Sequence, residues 1–143
     1  MGSVAVHDDL ELYLTGRLRT DLAALDDPDV ADIEVSNRWP DPNATFPRRL
    51  LVIRDDSGPR TSLVTADRAV GYTLVYDDTH DTPLTTSRAA RLVAALAAAV
   101  PGPQRDNPVA AVRAQNGPYK VDEPPPRIRF YSTITYSVAA RPL

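Results

Sequence analysis

The densest group of side chains able to do chemistry is DDTHD at 77–81, where Asp77, Asp78 and Asp81 flank His80. Carboxylates beside an imidazole can hold a divalent cation or orient a water for hydrolysis. The same residue types start turns and cap helices, and the next two residues, Thr82 and Pro83, have the form of an N-cap and a first helical position. A turn is therefore the expected role of DDTHD, with a small metal-dependent enzyme built on Asp77, His80 and Asp81 as the alternative. Asp55 and Asp56 lie in DDSG, which reads as a hairpin turn, where a solvated carboxylate pair has nothing to tune it as acid and base. The other histidine, His7, falls in the first turn of a helical pattern with no nucleophile at a recognised spacing. With 0 cysteines, disulfides, thiolate zinc sites, iron–sulfur clusters and cysteine nucleophiles are excluded. No Walker loop, G-x-S-x-G, HExxH or dinucleotide glycine fingerprint occurs. The expectation is a protein with no catalytic residue, metal or cofactor, which acts through its surfaces.

The elements that must position such surfaces come from 143 residues carrying 16 Lys+Arg, 19 Asp+Glu, a net charge of −3 and 14 prolines. A chain of that length buries about 70% of its unfolded surface, enough for one core, so a single domain over 1–143 is expected. The mild acid excess argues against a dedicated nucleic-acid binder. No apolar run reaches the ~20 residues of a membrane span, and the opening MGSVAVHDD lacks the basic and apolar regions of a signal peptide, so a soluble protein is expected.

Leu10, Leu14, Leu18 and Leu22, closed by Leu25, make an amphipathic helix over 7–25, with Asp8 and Glu11 resembling a capping box. A short strand is expected at 30–35. Further strands follow at 50–54, 61–66 and 70–76, the first two joined by the DDSG turn. A second helix begins at the Thr82 cap, with Leu84, Leu92, Ala95, Leu96 and Ala99 as its buried face. Residues 109–114 form a moderate strand, and 116–118 a turn or bulge after which 119–121 resume pairing. Ile128, Phe130, Ile134, Tyr136 and Val138 alternate with polar residues in a long closing strand. This order specifies an α+β domain, a mostly antiparallel sheet flanked by two helices.

Between the first two strands runs SNRWPDPNATFP, with three prolines, the one Trp and one of two Phe. Trp39 and Phe46, flanked by Arg38, Arg48 and Arg49, have the aromatic and arginine composition of protein–protein hot spots. The competing reading, that Trp39 folds back on the core, stays open at this point. The three prolines at 124–126 read as a stiff lead into the last strand, with a polyproline ligand as the lesser alternative.

Taken in order, RRLLVIRDDSGPR (48–60), AVGYTLVYDD (69–78), SRAARLVAALAAAV (87–100) and NGPYKVDEPPPRIRFYSTITYSV (116–138) resemble the tail terminator proteins of siphoviruses, particularly those infecting actinobacteria. The resemblance implies a virion structural protein, assembled in the host cytoplasm. It would form a hexameric ring on the head-proximal end of the tail tube, stop tube polymerisation and meet the head-completion proteins. It also implies that DNA passes through the ring without specific binding. On that reading Arg38, Trp39, Phe46, Arg48 and Arg49 are expected at a subunit or tube interface. Asp55, Asp56, Asp77 and Asp78 are expected as acidic turns facing the lumen, where six copies carry about −18 in total. A head-completion or adaptor protein of the neck is the main alternative.

Overall fold

A computed structural model describes residues 5–6, 9–56, 65–104, 106–139 and 141–142. In chain order the elements are β1 (Ala5–Val6), α1 (Leu10–Leu25), a 3-10 turn (Pro28–Val30), β2 (Glu34–Ser36), β3 (Arg49–Asp55), β4 (Thr65–Asp77), α2 (Pro83–Ala98), β5 (Val109–Val121), β6 (Arg127–Ala139) and β7 (Arg141–Pro142). Five strands form one sheet ordered β2-β3-β4-β6-β5, parallel only between β2 and β3. β1 and β7 pair antiparallel as a separate two-stranded sheet. The architecture is the α+β class expected, with both helices contributing to the core over one face of the sheet.

α1 forms because its leucines repeat at i,i+4. Leu10, Leu14, Leu18 and Leu22 are all buried, which stabilises by roughly 2 kcal/mol per side chain. Its N-cap is Asp9, whose carboxylate accepts the Leu12 N–H at 3.1 Å. The Asp8 capping box was an expectation that falls outside the described residues, and Glu11 instead accepts the Asp55 N–H at the end of β3. Leu25 does not close the stripe: it is exposed, because the chain leaves the helix at Asp26 in a left-handed conformation. The strand expected at 30–35 is shortened to β2. The carbonyls of Pro28 and Ala31 accept hydrogen bonds from the Arg49 guanidinium, at 2.8 Å each.

α2 is capped at Thr82 with Pro83 following, as the residues indicate. Its buried face is Thr86, Ala89, Ala90, Val93, Ala94 and Ala97, not the Leu84-led face. Leu84 is 84% exposed, Ala95 and Ala99 are exposed, and Leu92 and Leu96 flank the contact half-buried. The alanine face wins because it lets the helix backbone approach the sheet: the Tyr136 hydroxyl donates to the Ala97 carbonyl at 2.7 Å. Tyr72 on β4 shares that buried network through Tyr136 Oη.

The two strands expected at 61–66 and 70–76 are one strand, β4, across its described length, while 61–64 lie outside the described residues. β3 pairs with β4 from Arg49↔Tyr76 to Asp55↔Val70, and β4 with β6 from Thr65↔Ala139 to Asp77↔Arg127. β5 is continuous through 116–118 with a bulge between Asn116 and Tyr119. Gly117 supplies that bulge at φ +80, and a Cβ there would stand 2.7 Å from the Tyr131 carbonyl oxygen. Because strand side chains alternate, Tyr72, Leu74, Tyr76, Ile134 and Tyr136 point toward the helices. Thr73, Val75, Arg127, Arg129, Tyr131, Thr133 and Thr135 line the opposite, outer face.

Candidate functional site

The outer face is where the aromatic loop settles. Register places Arg129 beside Val75 and Arg127 beside Asp77, so the two arginines stand on neighbouring same-face positions of β6. The loop at 37–48 leaves β2 and returns across this face before entering β3. Phe46 lies under Arg127, whose Cζ is 3.8 Å from the ring centroid, and Trp39 lies near Arg129, Cζ 5.6 Å from its ring. The two rings meet edge to face, with centroids 5.4 Å apart and planes at 61°. Such a pair adds about 1 kcal/mol beyond area burial, and each cation over a ring adds a comparable amount. Trp39 nonetheless stays 42% exposed. It is neither a core residue nor a free one: it is held in a fixed pose on the sheet with much of its indole open to a partner.

Arg38 is exposed beside Trp39, its backbone N–H donating to Ser36 Oγ. Arg48 is exposed and reaches Asp81 at 3.5 Å. Arg49 does not join this surface. It points to the helix side of β3, is 8% exposed, and forks onto Asp81 through Nη2 at 2.7 Å and Nε at 3.2 Å. Its guanidinium also lies over the Tyr76 ring at 4.7 Å. A cation so enclosed ties the 3-10 turn, β3 and the β4–α2 turn together, and four of its five N–H groups are spent within its own subunit.

Sequence reasoning missed Arg127, Arg129, Tyr131 and Tyr119 as members of the surface. Tyr119 and Tyr131 are cross-strand partners packed edge to face at 5.9 Å, Tyr119 being 51% exposed, and they extend the aromatic strip from Trp39 toward the β5 edge. The available signal was the second phase of the closing strand, in which Arg127, Arg129 and Tyr131 share one face.

The acidic turns separate. Asp55 ends β3 opposite Val70, and its carboxylate accepts from Arg68 Nε at 3.1 Å, so it is a paired charge and not an open one. Asp56 is exposed. Asp77 accepts from the Thr79 N–H and hydroxyl at 2.8 and 2.7 Å, bonds that hold its carboxyl below the usual range. Asp78 is exposed, its N–H donating to the Pro126 carbonyl. Along β4 the two turns stand about 23 Å apart, at opposite ends of the β3–β4 ladder, so the four aspartates do not form one acidic level.

The metal alternative loses its central ligand. Both Asp81 oxygens face guanidinium groups, His80 is exposed, and among the described residues no group of three His, Asp or Glu is placed to hold a cation. Burial alone would raise the Asp81 carboxyl, but hydrogen bonds and charge from Arg49, then Arg48, outweigh it and hold the group below its ordinary value. A depressed folded pKa means stability is present above the unfolded value and lost as pH falls through the folded one. Urea midpoints should therefore stay level from neutrality to about pH 4 and fall below it. Asp27, drawn to about 2 by Arg88 and the Asp29 N–H, and Asp77 act in the same direction. Asp81→Asn isolates the contribution: it should be less stable at pH 7 and lose less on acidification. An unchanged acid limb in that variant would refute the assignment.

Among the described residues no helix is long and apolar enough to cross a membrane. Compared with family models the chain matches none, and no curated protein matches it at a significant level.

Proposed function

We propose that the chain is a structural protein of a phage tail: a terminator that closes into a ring, a hexamer in the simplest form, on the head-proximal end of the tail tube. It stops tube growth and offers its other side to the head-completion proteins of the neck. The observation that carries this reading is the Trp39–Phe46 pair, which lies under Arg127 and Arg129 while Trp39 stays 42% exposed. A rigid aromatic anchor ringed by arginines suits a recurrent protein contact, because little side-chain entropy remains to be lost on association. The order of strand, hairpin, alanine helix and closing strand that resembles the terminators supports it independently, as does a β-sheet domain with unlike front and back layers.

In the ring, Asp56 and Asp78 take the lumen role, since Asp55 and Asp77 are engaged within the subunit. Exposed carboxylates at a bore repel phosphate and keep the passage free of binding. Reversing both, Asp56→Lys with Asp78→Lys, should leave assembly intact and give the ring an affinity for duplex DNA that falls steeply as salt is raised, read by gel retardation at two salt concentrations. DNA retention that ignores salt, or none at all, would remove both turns from the bore. The role itself is tested by deleting the protein from the phage: overlong tubes without heads are expected. Normal tubes that merely fail to join heads would move the chain to the neck.

A further inference from the structure

Of the four asparagines in the chain, three are held in ways that block attack on their side-chain amides. Asn37 donates from Nδ2 to Glu11 Oε1 at 3.2 Å. Asn107 donates from Nδ2 to the Val100 carbonyl at 2.6 Å and accepts the Val109 N–H through Oδ1. The residue after it is Pro108, which has no N–H at all. Asn43 precedes Ala44, whose N–H is committed to the Asp41 carbonyl at 3.0 Å. Asn116 differs on every count. It is exposed, its side-chain amide has no hydrogen-bond partner among the described residues, and the residue after it is Gly117, exposed as well.

The backbone at this point is also irregular. The β5–β6 register passes from Asn116↔Thr133 to Tyr119↔Tyr131, so Gly117 and Pro118 together face Ser132, with Gly117 at φ +80. β5 is the edge strand of the sheet, with no further strand to cover the bulge. The Gly117 nitrogen and Asn116 Cγ belong to adjacent residues and meet by rotation within Asn116, and glycine carries no Cβ to obstruct the approach. We propose that Asn116–Gly117 is a site of spontaneous covalent modification, deamidation through a cyclic imide. The Gly117 nitrogen bonds to Asn116 Cγ, the bond from Cγ to Nδ2 breaks, and Nδ2 leaves as ammonia carrying the proton that the Gly117 nitrogen gave up. Water then opens the five-membered ring. Attack at the side-chain carbonyl leaves aspartate, and attack at the main-chain carbonyl leaves isoaspartate, with nothing oxidised or reduced. Either product sets a carboxylate on the outer face at the position next to Tyr119, and isoaspartate also lengthens the β5 backbone by one methylene. Age therefore turns the β5 end of the aromatic strip from neutral to acidic.

Trypsin makes the test direct. Cleavage after Arg113 and Lys120 releases residues 114–120, which carry Asn116 alone, and cleavage after Arg38 and Arg48 releases 39–48, which carry Asn43 alone. The folded full chain is held at neutral and at mildly alkaline pH, digested at intervals and read by liquid chromatography and mass spectrometry. Peptide 114–120 should gain the mass of an amide-to-acid conversion at least about 10-fold faster than peptide 39–48. Conversion should quicken at the higher pH, where base takes the Gly117 proton more readily, and the product should split into two peaks of equal mass, aspartate and isoaspartate. Asn116→Gln, an exposed change expected to leave the melting curve in place, should remove the acidic species that ageing builds up on ion exchange. Equal conversion of the two peptides, or the same acidic species in the Asn116→Gln chain, would overturn the assignment. A folded chain that stays intact at 116 while a urea-unfolded one converts would overturn it too, since the strand would then protect the amide.

Discussion

Arg49→Ala should lower the unfolding free energy by about 3 kcal/mol, the cost of leaving a buried carboxylate without its main counter-ion. The substitution leaves Asp81, which is 8% exposed, with only the 3.5 Å contact to Arg48, and frees the Pro28 and Ala31 carbonyls that Arg49 holds at 2.8 Å. Arg49→Lys should recover only part of the loss, because an ammonium cannot fork onto both oxygens while also reaching two carbonyls. Urea unfolding followed by circular dichroism reads both. A loss under about 1 kcal/mol for the alanine variant would return Arg49 to the surface group in which residue type alone had placed it.

Trp39→Ala should behave in the opposite way, leaving the monomer's melting transition close to wild type and weakening ring or tube association by at least about 2 kcal/mol. Trp39 is 42% exposed, packs on Phe46 and Arg129 and is no member of the buried core, so its removal opens no cavity there. Sedimentation velocity in the presence of tubes, beside a thermal melt, separates the two effects. Loss of the cooperative melt with association unchanged would make Trp39 a packing residue after all.

How much of this was legible in the residues differs from element to element. The closing strand β6 and the Thr82 cap of α2 were readable because each is written in local contrast: apolar against polar at period two, and a hydroxyl before a proline. The buried face of α2 was not, since alanine contrasts weakly with its neighbours and the larger leucines pull the eye to the wrong phase, leaving Leu84 in water. Charge partners were illegible for a different reason. Arg49 and Asp81 are 32 residues apart, and nothing local distinguishes an arginine that turns inward from its neighbour Arg48 that turns out. Arg127 and Arg129 carried their message in the polar phase of a strand whose apolar phase was the obvious one. Their meaning depended on a loop far earlier in the chain folding across them.

The account's central claim is that this surface chemistry ends a growing polymer. It is tested most directly by adding purified protein to tail tube subunits during polymerisation and measuring tube lengths by electron microscopy. The account predicts that growth stops, with a ring at one end of each tube, and that Trp39→Ala protein fails to stop it at the same concentration. Tubes that grow to the same lengths with and without the wild-type protein would contradict it.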